Sequence, residues 1–146
     1  MMRERTAYPL GIQCEAPDQW LVRGVMSFQE GGSLICNGEI LEGSWLQLML
    51  GSSEMALQAA RRAAQRAIQS LNHVAVALVF DCVARRVLLG PHHGALEIAA
   101  IRQIIGPAIP FAGCYTYGEQ APLEITSVYG KTAVQTGSVL VVALGA

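Results

Sequence analysis

From His73 to Cys82 the chain reads His-Val-Ala-Val-Ala-Leu-Val-Phe-Asp-Cys. A Val-rich apolar run with its one acid near the end fits a strand buried on both faces. The segment before it, Met55–Leu71, places Leu57, Ala60, Ala64, Ile68 and Leu71 on one helical face. Arg61, Arg62, Gln65, Arg66 and Gln69 fall on the other, so this is an amphipathic helix. Gly51-Ser52-Ser53-Glu54 precedes it, with Ser52 or Ser53 as N-cap and Glu54 at the positive end of the dipole. Asn72 marks its C-terminal stop. Beyond the buried strand, Arg86–Leu89 reads as a short extension, and Gly94–Ile105 repeats the helical pattern until Gly106-Pro107 ends it.

Shorter strands are expected on either side. Trp20–Phe28 and Ser33–Ile40 flank the turn signal Gln29-Glu30-Gly31-Gly32 and read as a hairpin. Ser44–Leu50 follows as a third strand. After the second helix come Pro110–Tyr117, a turn at Gly118–Pro122, Leu123–Tyr129, a bulge or turn at Gly130–Thr132, and a final strand Ser138–Leu144. The order is β-β-β-α-β-α-β-β-β. This predicts an α+β fold, a mixed β-sheet with helices packed on the sheet, whose central β-α-β-α-β part needs crossover connections. One domain over residues 7–146 is expected, with residues 1–6 as a flexible N-terminus.

With 146 residues, 52% hydrophobic and 14% charged, the chain is long enough for one core and too apolar for intrinsic disorder. A net charge of −1 lacks the basic field of a nucleic-acid binder. No apolar stretch approaches the roughly 20 residues of a membrane span, and Pro9 and Gly11 interrupt any signal-like run. The expectation is a cytoplasmic protein. Cys14, Cys36, Cys82 and Cys114 form no C-x-x-C pair. In that compartment they read as reduced thiols, with Cys36, Cys82 and Cys114 packed inside strands.

Candidate chemistry gathers at two strand ends. Phe80-Asp81-Cys82-Val83-Ala84-Arg85-Arg86 closes the most buried strand, where sites commonly form. Arg85 and Arg86 offer forked donors for a carboxylate, or one of them pairs with Asp81. Cys82 is a small packed thiol or, less simply, a nucleophile served by His92 or His93. Those histidines read as a solvated loop, without the ligand spacing of a metal site. Tyr115-Thr116-Tyr117-Gly118-Glu119 ends a second strand. Its phenols and carboxylate could hold a polar ligand, with Glu119 meeting an amine, or Gly118 simply turns the chain.

Taken together, Tyr8-Pro9-Leu10-Gly11, Leu41-Glu42-Gly43-Ser44, the cysteine-arginine segment Leu78–Arg86 and the segment Pro110–Glu119 resemble the C-terminal half of the FIST module. That family is a sensory module of bacterial, archaeal and eukaryotic signalling proteins. The resemblance implies a non-catalytic domain of signal transduction that binds a small ligand, amino acids or other small carboxylates, without a cofactor or metal. On this basis the ligand-binding set is Cys82, Arg85, Arg86, Tyr115, Tyr117, Gly118, Glu119 and Thr132. Thr132 alone survives from the family's His-Asn-x-Thr stretch, as Tyr129-Gly130-Lys131-Thr132. The implied partners are the small ligand, the missing FIST N-terminal half or a signalling output protein in trans, and a second copy in a homodimer. The alternative is a protein-interaction or dimerisation module without a small ligand. The single-site version requires the two strand ends to be parallel neighbours.

Overall fold

A computed structural model describes residues 2–14, 19–122 and 132–146. Its centre is the expected apolar run, β6 (Val74–Cys82), flanked by β10 (Val139–Gly145) and β7 (Phe111–Thr116). β10 runs antiparallel to β6, with Val141 opposite Val79 and Ala143 opposite Ala77. β7 runs parallel, with Phe111 opposite Ala77 and Cys82 opposite Thr116. The parallel pair is joined across α3 (Val83–Ile105), and α2 (Ser53–Ile68) lies beside it. The mixed sheet with helices on it is the α+β fold expected.

The core follows from residue size. Ala60 and Ala64 of α2, Ile101 and Ile105 of α3, Ala77 and Val79 of β6 and Val141 of β10 form one buried cluster. Small side chains on α2 let its backbone come close to β10. Alternation places Ala77, Val79 and Asp81 under the helices, and Leu78 and Phe80 on the opposite face. Gly113 is required by close approach: a Cβ there would stand 2.2 Å from the Val79 carbonyl oxygen. The Ser52 hydroxyl caps α2, accepting from the Met55 N–H at 3.2 Å.

The helix boundaries differ from expectation in an instructive way. Residues 86–89, read as a strand extension, are helical, because α3 begins directly after β6. Gly90, at φ 69° and ψ 178°, then breaks the helix, and Pro91 starts its second segment. Proline suits a first helical position, where its missing N–H costs nothing. His92 and His93 therefore sit in a helix, edge to face with centroids 5.3 Å apart, rather than in a loop.

The amino-terminal half is built from short strands. β1 (Leu10–Gln13), which the sequence reading passed over, pairs antiparallel with both β2 (Trp20–Arg23) and β5 (Leu46–Leu48). The long strand expected over Trp20–Phe28 is divided at Gly24 into β2 and β3 (Val25–Phe28). β3 pairs with β4 (Leu34–Cys36) as the predicted hairpin. Met2–Ala7, most of it within the end expected to be flexible, forms a helix, α1. Its packing against α3 and β3 supplies the tertiary contacts that a free end lacks. Residues Gly118–Pro122, read as a turn, contain β8 (Glu119–Pro122), which pairs with β9 (Thr132–Gln135). The expected strand Leu123–Tyr129 lies outside the described residues. Arg23, 7% exposed, ties the two halves together. It donates to the carbonyls of Glu39 at 3.1 Å and Val134 at 3.0 Å.

Candidate functional site

Because β6 and β7 are parallel neighbours, their C-terminal ends bring the Cys82–Arg86 and Tyr115–Glu119 segments together. The side chains then separate into three environments around the first segment of α3.

The first is a buried charge cluster. Arg85 is 4% exposed, beside Asp81 at 2% and Glu97 at 1%. Its guanidinium donates to Glu97 Oε1 through Nε at 3.0 Å and again through Nη2. Nη2 also reaches the Ala56 carbonyl at 2.7 Å, and Nη1 the Gly137 carbonyl at 3.3 Å. Asp81 Oδ1 stands 3.2 Å from Arg85 Nε as an ion pair, without hydrogen-bond geometry, since that N–H points to Glu97. Two carboxylates facing one guanidinium in a dry site cannot both ionise cheaply. Burial, and then the charge of Glu97, push the Asp81 carboxyl up to about 7, against the pull of Arg85. Around neutrality Asp81 is therefore part-protonated, and its proton can be shared with the Glu97 side chain. Four of the five N–H groups of Arg85 are thus spent within the fold, two of them on one carboxylate.

Glu119 is equally engaged. It is 4% exposed, accepts from the Thr116 and Ser138 hydroxyls, and so joins β7 and β8 to the residue that precedes β10. Both carboxylate oxygens of the expected amine-binding residue are thus engaged within the fold. Gly118 makes the bend between β7 and β8 at φ 153°. Thr132 pairs with Pro122 whereas Glu119 pairs with Gln135. Three steps along the ribbon is about 10 Å, so Thr132 does not join the cluster.

The second environment is the outer side of α3. The exposed Arg86 guanidinium lies 5.0 Å from the centre of the Tyr115 ring, a cation–π contact. The two residues line a depression with Gly90, Gly94 and Ile98 at the helix break. Burial and the nearby Asp81 raise the Tyr115 phenol above its ordinary value.

The third is a cavity of about 490 Å³ on the other side of that helical segment. Its walls come from α1, β2, β3, the segment after β5, the first turns of α3, and Thr136-Gly137. Val22, Met26, Met49, Val87 and Leu88 make it largely apolar, and Cys82, Arg85 and Tyr117 of the motif residues reach it. Asn37 and Thr136 supply polar atoms that are already used. Asn37 Oδ1 accepts from the Gly24 N–H at 2.8 Å, and its Nδ2 donates to Thr136 Oγ1. Cys82 is buried at the N-cap of α3 without a side-chain capping hydrogen bond, and the nearby N–H groups of Gly137 and Ala84 pull its thiol down. Burial outweighs them and raises its thiol above the ordinary value, which disfavours a thiolate nucleophile. The four cysteines are free, and Cys114 is exposed rather than packed. Among the described residues no group of His, Cys, Asp and Glu is arranged to hold a metal ion.

Sequence reasoning missed Arg5, Met26, Asn37, Met49 and Thr136. Arg5 carried a readable signal: Met-Arg-Glu-Arg-Thr-Ala consists mainly of good helix formers ahead of Tyr8-Pro9. The others are brought in by tertiary packing alone.

A family model, described as the FIST C domain, matches residues 1–122, more than half of the chain. The chain belongs to the FIST C-domain family. The FIST C domain is a sensory signal-transduction domain, so the cysteine-arginine and tyrosine-glycine-glutamate segments are those of a signalling module. The match takes in α1 and ends with β8, leaving Thr132 and β10 outside it. No curated protein and no solved structure matches the chain. Among the described residues no helix is long and apolar enough to cross a membrane.

Proposed function

We propose that this FIST C domain is a non-catalytic, cytoplasmic sensor whose small ligand occupies the cavity between α1, β2, β3 and α3. The observation that carries the reading is the cavity itself. At about 490 Å³ it has the size of a small-molecule site, is mainly apolar, and abuts the motif segment that opens α3. Its far wall is Val83–Leu89, the helical segment that Gly90 disconnects from the rest of α3. A ligand touching Val87 and Leu88 would favour one placement of that segment over another. Such differential contact is what a ligand needs to shift an equilibrium, and hence to signal to an output partner. The amino-acid version is less favoured, because Arg85 and Glu119 are already engaged within the fold. The raised Cys82 thiol supports a binding role over a catalytic one.

Thermal unfolding against a panel of small molecules tests the reading. A ligand at about 100 times its Kd adds roughly 2.7 kcal/mol, several degrees of Tm in a domain of this size. The shift should shrink in Val87→Phe, which narrows the cavity; a shift that survives unchanged places the ligand elsewhere.

A second reading, homodimerisation, is favoured by a different observation. Leu78, Phe80, Leu140 and Val142 line the sheet face away from the helix core, and Leu144 at its end is 53% exposed. Sedimentation equilibrium decides it: a dimer dissociated by Leu144→Glu supports this reading, and a monomer at high concentration removes it.

A further inference from the structure

Resting on the cavity reading above, we infer that its occupant is a small monocarboxylate with an apolar body, its carboxylate held by Arg5. The selection follows from what the walls can and cannot pair. Among the described residues lining the cavity there are two arginines and no aspartate or glutamate. Arg85 spends its charge on Asp81 and Glu97. Arg5 does not: its guanidinium gives Nη1 to the Met26 carbonyl at 2.6 Å, and no carboxylate pairs with it among the residues whose side chains are described. It is only part-buried, so it meets the ligand where cavity and solvent join. A planar guanidinium with donors to spare is the natural partner of a carboxylate.

The rest of the surface sets the body of the ligand. Val22, Val25, Met26, Met49, Val87 and Leu88 present hydrocarbon and thioether. Methionines adapt to varied shapes, so chain and ring bodies both fit. An ammonium group would find no counter-charge here and would be desolvated without compensation. The site therefore accepts an acid, tolerates a neutral analogue, and rejects zwitterions and amines. This sets it apart from an amino-acid site, which must pair both charges.

Isothermal titration of the full chain with octanoate, octanol, octylamine and leucine tests this. Octanoate should bind about tenfold tighter than octanol, the worth of a charge-assisted hydrogen bond, with octylamine and leucine silent. Arg5→Met, which keeps the apolar stem, should reduce octanoate to the octanol level, and Arg5→Lys should restore part of the difference. Octanol matching octanoate, leucine binding as well, or an indifferent Arg5→Met overturns the carboxylate assignment and leaves the cavity reading standing. If neither octanoate nor octanol binds, or both bind Val87→Phe unchanged, the cavity reading falls as well.

Discussion

In the layer formed by α2, α3, β6 and β10, Ala60, Ala64, Ala77 and Ile101 are wholly enclosed. In the amino-terminal half, no residue of β3, β4 or β5 is buried, and Phe28, Trp45 and Leu48 stand 68%, 80% and 66% exposed. The first region holds its shape by packing. The second holds it mainly by backbone ladders and by Arg23. The cavity lies along the junction, with one wall anchored to the packed layer through α3 and the other made of lightly buried strands. A site built this way has a fixed reference surface and a compliant one, an arrangement suited to registering occupancy.

The comparison can be broken at its strongest point first. Arg85→Met removes the one cation facing Asp81 and Glu97 and should cost about 3–5 kcal/mol near neutral pH, measured by urea unfolding. The loss should shrink on acidification, as the Asp81 carboxyl takes up its proton. Ile101→Ala should cost about 2–5 kcal/mol through the cavity it leaves. A loss below about 1 kcal/mol would mean that the helical layer is not the rigid partner.

The pH dependence has a definite sign. The folded Asp81 carboxyl titrates near 7, above its ordinary 3.8. The folded state therefore holds a proton that the unfolded chain has released. Its contribution is full below about pH 4 and is lost as pH rises to about 7, at up to ~1.4 kcal/mol per unit. Asp81→Asn should remove that slope; identical slopes in the two proteins would refute it. Ser52→Ala, which deletes the α2 cap, should cost about 1 kcal/mol. Leu48→Ala, in an exposed strand, should stay within about 0.5 kcal/mol. If it rivals Ile101→Ala, the contrast between the two regions fails.

Legibility in the sequence followed the same division. β6, β7, β10 and most of α2 were readable, since long periodic runs state their own burial. β1, the division at Gly24, and the β8–β9 pair were not. A four-residue strand holds too few side chains to show a period, and Glu119-Gln120-Ala121-Pro122 looks like a turn until Thr132–Gln135 pairs with it. The meeting of the two motif segments was predictable from a parallel β6–β7 pair. The opposite fates of Arg85 and Arg86 were not, because they depend on Val83–Leu89 being helical. That geometry turns Arg85 inward with Leu89, four residues on, and leaves Arg86 outside. Arg5 was lost for a simpler reason: a chain end was taken as free.

The break at Gly90 has a consequence for how α3 comes apart. Pro91 has no amide hydrogen, so the hydrogen-bond ladder cannot run continuously past it. Val83–Leu89 and Pro91–Ile105 are therefore two cooperative units rather than one. The second is clamped by Ile101 and Ile105; the first borders a cavity, and its buried anchors are Leu89 and the Arg85 cluster. Amide exchange should record two opening free energies along one helix, the lower beside the cavity, with binding there raising the lower toward the higher.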